Sequence, residues 1–352
     1  MSSSDRSVTI ETGSRLHFGL IDPVGSSGRL YAGAGVMVDA PGIRMTARLA
    51  EGADRITATQ GMEKRLGEFI YRYREATGSR ARFDIGLAAC PADHLGLGTG
   101  TQLGMAVSSA CSSLLGLEGN IETIAGRTGR GRRSSIGVHG FENGGFLIDD
   151  GKLEEAGLSP LRHRIELPEA WHFVLVIAPG HRGLSGRQEA ECFTKLEPVA
   201  EQTVAQLEAL LEEALVPAGR KGDWPVFSRA LHEFGLIAGQ PFQEAQGGVF
   251  SATLAAQAAE YLLEAGVEGV GQSSWGPTLY ALLPGRQEAE TAAGELRKRF
   301  GLGREEVVIT RPCSRGASVK VVNCSASRPV GKEALFNRLD LSYHLVLNVG
   351  RP

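Results

Sequence analysis

Pro91-Ala-Asp-His-Leu-Gly-Leu-Gly-Thr-Gly-Thr-Gln102 runs directly into an apolar-periodic segment that begins at Leu103. Glycines at 96, 98 and 100 lack a Cβ, so the backbone there can turn tightly and approach a ligand closely. Behind them Leu103, Ala106, Val107, Ala110 and Leu114 fall on one face of a 3.6-residue period, which predicts a helix over 103–117. A glycine-rich loop opening a helix presents unpaired N–H groups at the positive end of a dipole. That combination suits phosphate or diphosphate, with Thr99, Thr101 and Gln102 as further contacts. A tight loop that needs glycine only for packing reads the same way, so the decision rests with the rest of the chain.

Upstream, Phe83–Ala88 is a predicted strand, which gives the strand–loop–helix order an anion site requires. Val8–Glu11 reads as a short first strand, followed by a segment at 12–23 in which Arg15, His17 and Asp22 interrupt apolar residues. These three suit either hydrogen-bonded structural positions or the edge of a pocket. Leu30–Val38 and Ile43–Leu49 read as two further strands, and Gly61–Thr77 as a helix. The charged face of that helix, with Lys64, Arg65, Arg72 and Arg74, is balanced by Glu63, Glu68 and Glu75 and reads as solvated.

Downstream, a second helical stretch at Ile121–Thr128 leads into Gly129–Gly145, where Arg130, Arg132 and Arg133 cluster with Ser134 and Ser135. Arginine suits bidentate recognition of phosphate or carboxylate; the bland reading is an exposed basic turn. A hairpin is expected around Asp150-Gly151, and a domain boundary near 160. The strand at 171–178 precedes a loop with His181, Arg182 and Ser185, and Glu189 and Glu191 suit the first turn of a long helix reaching Leu215. Helices are expected at Trp224–Phe234, Ser251–Glu264 and Gln287–Phe300, and strands at Thr278–Leu283, Glu306–Thr310 and Ala317–Val322. Gly269-Val-Gly-Gln-Ser-Ser-Trp-Gly-Pro277 is a third glycine/serine loop, whose Gln272, Ser273, Ser274 and Trp275 are candidate ligand contacts.

The chain has 352 residues, which predicts two domains, 1–160 and 161–325, with a tail at 326–352 of unassigned role. Hydrophobic and charged contents of 42% and 22% describe an ordinary globular protein. A net charge of −3 argues against nucleic acid or an anionic membrane as partner, so any anion site has to be built locally. Cys90, Cys111, Cys192, Cys313 and Cys324 are scattered without a CxxC pair, which points to a reducing compartment, and no apolar run is long enough to span a bilayer. The expectation is a cytoplasmic protein with small-molecule substrates.

Three separated motifs resemble the GHMP kinase superfamily: Pro91–Gln102 its phosphate loop, Ser14–Asp22 its N-terminal motif, and Gly271–Thr278 its C-terminal glycine-rich motif. The resemblance implies an α+β, two-domain GHMP-kinase-like fold, with a ribosomal S5 domain 2-like N-terminal domain, a ferredoxin-like C-terminal domain and the site in the cleft between them. Kinases of the mevalonate type carry Gly-x-x-Ser-Gly-x-Asp, whose aspartate is a general base; here Gly131-Arg-Arg-Ser-Ser-Ile-Gly137 puts glycine at that position. The finer pattern resembles the β-ribofuranosylaminobenzene 5′-phosphate synthase family, in Ser14–Leu20, Ser135–Val138, Phe141–Phe146, Gly183–Gly186 and Gly271–Pro277.

That second resemblance implies a pentosyltransferase of methanopterin biosynthesis. The family condenses phosphoribosyl diphosphate with 4-aminobenzoate, or in similar enzymes 4-hydroxybenzoate, and releases carbon dioxide and diphosphate. It implies Mg²⁺ and no ATP, and by family habit a homodimer. Arg15, His17 and Arg182 are then the expected catalytic residues. Gly96, Gly98, Thr99, Gly100, Thr101, Gln102, Ser134, Ser135, Ser185, Gln272, Ser273, Ser274 and Trp275 are the expected substrate contacts, with Trp275 or Phe18 stacking on the arene. No metal ligands are assigned. Two other readings stay open: a small-molecule kinase of the same superfamily, and a sensor that keeps the anion pocket without turnover.

Overall fold

The computed structural model describes residues 6–58, 61–117, 119–153, 157–184 and 186–323. Strand β1 (Arg6–Leu20) pairs antiparallel with β2 (Gly33–Leu49), and the two carry the N-terminal half. The short β3 (Arg55–Thr57) and helix α1 (Met62–Thr77) follow, then β4 (Phe83–Ala89), α2 (Thr99–Leu115), α3 (Ile121–Arg127), α4 (Ile136–Asn143) and β5 (Phe146–Asp149). Beyond them come β6 (Leu161–Ile165), β7 (His172–Ile177), α5 (Gly186–Phe193) and α6 (Glu201–Ala209). A π-helical turn at Leu210–Leu215 joins α6 to α7 (Val216–Lys221), before α8 (Trp224–Gly239), α9 (Gln243–Gln246) and α10 (Thr253–Glu264). The chain closes with β8 (Gly269–Gln272), β9 (Thr278–Leu283), α11 (Arg286–Phe300), β10 (Val307–Thr310) and β11 (Ser318–Asn323).

Two sheets result. The larger runs β11-β1-β2-β4-β3, with β5 joining β2 and β6 joining β5; the smaller is antiparallel in the order β10-β7-β9-β8. Beyond the short strand expected at Val8–Glu11, the segment at 12–20 continues β1 through register shifts at Thr12/Ser14 and His17/Gly19. A bulge re-aims side chains without ending a strand, so Arg15 and His17 are held on sheet. The two strands expected at 30–38 and 43–49 are likewise one continuous β2. Among the described residues the expected hairpin around Asp150-Gly151 is not seen: β5 pairs with β2 and β6, while Lys152 bridges to Leu30. Strand β6, past the expected boundary at 160, is thus hydrogen-bonded to β5. Strand β11 returns to pair with the first half of β1, from Arg6↔Asn323 to Glu11↔Ser318. The expected tail at 326–352 lies outside the described residues.

The long helix expected up to Leu215 is divided into α5 and α6 by a stretch at 194–200 that contains Pro198, which cannot continue a helix. Helix α4 forms where the sequence reads as a glycine/arginine loop. Its Gly140 is there for packing, since an added Cβ would lie 2.5 Å from the Met37 sulfur.

The sheets share one core. Phe146 of β5, Phe173 of β7, Tyr280 of β9 and Phe227, Leu231 and Phe234 of α8 are all buried in a single cluster. Phe227, Leu231, Phe234 and Ala238 recur at helical spacing, so one stripe of α8 faces both sheets. Burying each of the large side chains stabilises by roughly 1.5–3 kcal/mol. Gly19 of β1 has to be small: a Cβ there would sit 2.4 Å from the Cβ of Ala238. This close approach of β1 to α8 forms the floor of a cleft. No helix among the described residues is long and apolar enough to cross a membrane.

Candidate active site

The three glycine-rich loops meet at one place. Gly96 and Gly98 adopt left-handed backbone, with φ of 86° and 70°. An added Cβ on Gly96 would lie 2.2 Å from the Ser273 carbonyl, and one on Gly183 would lie 2.3 Å from that of Trp275. The Gly183 N–H donates to the His94 carbonyl at 2.8 Å. Strand β1 is stitched in between: Arg15 N–H donates to Leu97 O at 2.9 Å, and Ser274 N–H to His17 O at 3.0 Å. Ser273, fully buried, fastens both sides, because its hydroxyl donates to Gly96 O at 2.7 Å and accepts the His17 N–H at 3.0 Å.

These loops border a cavity of about 710 Å³. Helix α2 opens into it with Gly98 as its N-cap and no side-chain cap, and Thr99, Gly100 and Thr101 line the wall. A helix start left without a capping side chain favours an anion. Among the described residues the lining holds six arginines, Arg15, Arg65, Arg72, Arg130, Arg132 and Arg133, against the carboxylates of Asp93 and Glu189. Both carboxylates are engaged: Asp93 lies 3.7 Å from Arg65 Nε, and Glu189 pairs with Arg133, whose guanidinium sits 4.7 Å from the centre of the Phe193 ring. A chain of net charge −3 has therefore concentrated positive charge in one cleft.

Several donor atoms of these cations make no hydrogen bond. Nε and Nη1 of Arg15, Nε of Arg65 and Nε of Arg130 are buried with no hydrogen bond. Burial pulls the Arg15 guanidinium down to about 10, partly opposed by Glu189. Arg130 is pulled down to about 10 by burial and then by Arg65, Arg72 and Arg132, with Asp93 opposing. Burial first, and Arg15 second, push His17 well below the usual imidazole range, so its ring is neutral near pH 7. His17 Nε2 is 2.9 Å from Ser134 Oγ. Buried unpaired donors are costly unless a ligand accepts from them.

Of the residues expected to form the site, Arg15, His17, Gly96, Gly98, Thr99, Gly100, Thr101, Ser134, Gln272, Ser274 and Trp275 line the cavity. The Thr99 hydroxyl turns back to donate to Ala92 O at 3.2 Å, so its proton is already engaged. Gln272 is occupied by Ser251 N–H, Gln246 and Ser274 O. Trp275 is 9% exposed, with its ring 4.5 Å from that of Phe242 and 5.7 Å from that of Phe193. Phe18 also borders the cavity but is packed between Phe146 and Tyr280.

Four expectations are corrected. Gln102 is fully buried, accepting from Thr12 at 2.8 Å and donating to Gly137 O at 2.7 Å, and it ties α2 to β1 and α4. Ser135 is fully buried and accepts the Ser159 N–H at 2.8 Å. Ser273 is the fastening described above. Arg182 is exposed and does not line the cavity, because its loop is pinned to His94 and Trp275 through Gly183. Ser185 lies outside the described residues. Asp22 caps a turn, accepting from the N–H groups of Val24, Gly25 and Ser27.

Arg65 and Arg72, taken as solvated, instead belong to the cavity; their seven-residue spacing on one helix face was the available signal. Phe193 and Phe242 also join the site, through tertiary packing that no local pattern announces. At position 137 a Cβ would lie 3.1 Å from the Thr101 methyl, so a side chain there would project toward the start of α2.

Residues 207–302 match the family model described as GHMP kinases C terminal. Homoserine kinase from Cytophaga hutchinsonii superposes with a TM-score of 0.63 at 16% identity, covering 91% of this chain and 99% of that one. The fold is that of the GHMP kinases. Mevalonate pyrophosphate decarboxylase from Streptococcus pyogenes shares it, with a TM-score of 0.62 at 10% identity over 88% of this chain and 97% of that one. Two curated relatives are named beta-ribofuranosylphenol 5′-phosphate synthase. The protein from Methanothermobacter thermautotrophicus is 29% identical over 332 residues, 88% of this chain and 97% of its own. The one from Methanocaldococcus jannaschii is 28% identical over 340 residues, 88% and 99%. This GHMP-fold chain resembles those synthases along most of its length, and it is an enzyme.

Proposed function

We propose that the enzyme is a pentosyltransferase that joins the ribose of phosphoribosyl diphosphate to the carboxyl-bearing carbon of a 4-substituted benzoate, releasing diphosphate and carbon dioxide. The single observation that carries this reading is the anion cavity itself: unpaired buried guanidinium donors beside an uncapped helix start, with both carboxylates already ion-paired. The relatives' name specifies a phenol product, which favours 4-hydroxybenzoate over 4-aminobenzoate as the arene.

The reaction needs charge stabilisation more than proton transfer. As the anomeric C–O bond breaks, its electron pair leaves with diphosphate, and the N–H groups at the start of α2 are suited to receive that charge. The arene carbon bearing the carboxylate then bonds to the anomeric carbon, and the C–CO₂ electron pair returns to the ring as carbon dioxide departs. No proton moves, which accords with glycine at 137 and with a neutral His17. Arg15, adjacent to Gly98, is placed to orient the benzoate carboxylate, with Phe193, Phe242 and Trp275 offering an apolar wall to the ring.

Among the described residues no three His, Cys, Asp or Glu groups converge as a metal cage. An ion here would be held mainly by substrate phosphates, with Asp93 of the loop at 91–102 the carboxylate that lines the cavity beside it. Mg²⁺ bound in this way would neutralise developing charge on the leaving diphosphate. The decisive experiment incubates carboxyl-labelled 4-hydroxybenzoate with phosphoribosyl diphosphate and Mg²⁺. Labelled carbon dioxide without ATP is expected. No release, together with ADP formation on a small alcohol, replaces the proposal with the kinase reading. Phosphoribosyl diphosphate binding without turnover of any benzoate replaces it with the sensor reading.

A further inference from the structure

The cavity's positive charge is divided into two groups. Arg15 lies against Gly98, where an added Cβ would be 3.1 Å from the Arg15 Cβ and 3.3 Å from its Nε. A Cβ on Gly100, two residues along α2, would instead meet Arg65 Nη2 at 3.0 Å and Arg130 Nη1 at 3.6 Å. Arg65 and Arg130 both approach the Phe69 ring, at 5.2 and 5.3 Å from its centre. Next to them, a Cβ on Gly129 would find Arg72 Nη1 at 3.3 Å and Arg132 Nη2 at 3.6 Å. The electrostatic neighbours separate in the same way. Arg130 is influenced by Arg65, Arg72, Arg132 and Asp93, and Arg15 by Glu189.

Like charges this close repel, and the acid at this end falls on Arg65 alone: Glu68 lies 3.5 Å from its Nη1 and Asp93 3.7 Å from its Nε, which leaves Arg72, Arg130 and Arg132 in excess. The Nε atoms of Arg65 and Arg130 are buried without acceptors. Yet the arrangement is fixed from behind. Lys152 Nζ donates to the carbonyls of Gly131 and Arg132, and Gly129 and Gly131 hold the left-handed turns that carry the loop round. Arg72 and Arg132 are exposed, while Arg130 is half-buried. A small dianion able to accept from several guanidinium groups at once satisfies this geometry.

We propose that Arg65, Arg72, Arg130 and Arg132, on the Gly100 and Gly129 side of the start of α2, form a second subsite for a phosphate monoester, which takes the 5′-phosphate of the ribosyl substrate while the Gly98 side of that helix start, beside Arg15, takes its diphosphate. The assignment rests on the pentosyltransferase reading for the identity of the ligand, and on the arginine cluster alone for its chemistry.

The test measures binding of ribose 5-phosphate and of inorganic diphosphate separately, by calorimetry on the full chain. Arg130→Gln is expected to weaken ribose 5-phosphate at least about tenfold, in line with loss of charge-assisted hydrogen bonds, and diphosphate by less than about threefold. Arg72→Ala, at an exposed position that folding tolerates, is expected to weaken ribose 5-phosphate about threefold or more with the same selectivity. Equal losses for both ligands, or ribose 5-phosphate binding unchanged in both variants, overturn the proposal. The two readings fail separately. Selective loss of ribose 5-phosphate in a protein that releases no carbon dioxide from benzoates keeps the subsite and removes the reaction. Carbon dioxide release with an unchanged KM for phosphoribosyl diphosphate in Arg130→Gln keeps the reaction and removes the subsite.

Discussion

Ser273→Ala removes one hydroxyl and should disturb both stability and turnover. The hydroxyl donates to Gly96 O at 2.7 Å and accepts from His17 N–H at 3.0 Å, at a position with no exposed surface. Truncation leaves the His17 N–H buried without an acceptor, which costs about 1–3 kcal/mol. Gly96 is half-buried, so water can reach its carbonyl in part, and the lower end of that range, about 1 kcal/mol, applies there. The sum is roughly 2–4 kcal/mol, and at about 2 °C per kcal/mol for a chain of this size Tm should fall by roughly 4–8 °C. Because the lost bonds hold β1 to the glycine loop, a displacement approaching 1 Å of Arg15 relative to α2 should lower kcat by about 10²-fold. Thermal denaturation and labelled carbon dioxide release check the two parts. A Tm within 1 °C of the parent protein would refute the fastening role, whatever happened to the rate.

Arg182→Ala should leave kcat/KM within about twofold, since the side chain is exposed and outside the cavity; a tenfold loss would restore it to the site. Gly96→Ala combines a φ of 86° with a Cβ 2.2 Å from a carbonyl oxygen, so a destabilisation of at least about 2 kcal/mol is expected by chemical denaturation, and a smaller one would mean that the loop yields. The ring resonances of His17 should stay constant between pH 8 and 6, because its folded pKa lies well below the unfolded one. The sign follows: the neutral ring's contribution to stability is complete above about 6.5 and is lost as pH falls below it. A ring titrating with a midpoint near 6.5 would contradict this.

The glycine loops were legible because their chemistry is local. Gly96 and Gly98 need left-handed backbone, and Gly183 and Gly276 need room, and each requirement selects glycine whatever else surrounds it. The helix after the main loop was legible for the same reason, from its apolar period. Polar residues inside those motifs were harder to read. Gln102, Ser135 and Ser273 have the composition of ligand contacts, yet each is turned inward to satisfy backbone or side-chain groups elsewhere in the chain, and their partners are set only by the fold. Arg65 and Arg72 posed the reverse case, since balanced charge along α1 concealed which face meets the loop at 129–133. Helix α4 escaped notice because its glycines answer to Met37 and Thr101 rather than to helix propensity.

Strand β11 has a bearing on how the protein is made. The edge of β1 that it covers is synthesised long before its cover, so on the ribosome Arg6 waits for Asn323 while the entire second sheet is being translated. Until then β1 offers an open row of backbone donors and acceptors to any neighbouring chain. A nascent or clipped product that stops short of Ser318 is therefore an aggregation hazard, even if everything upstream has folded. Cutting the gene at the boundary expected near 160 would create that product deliberately.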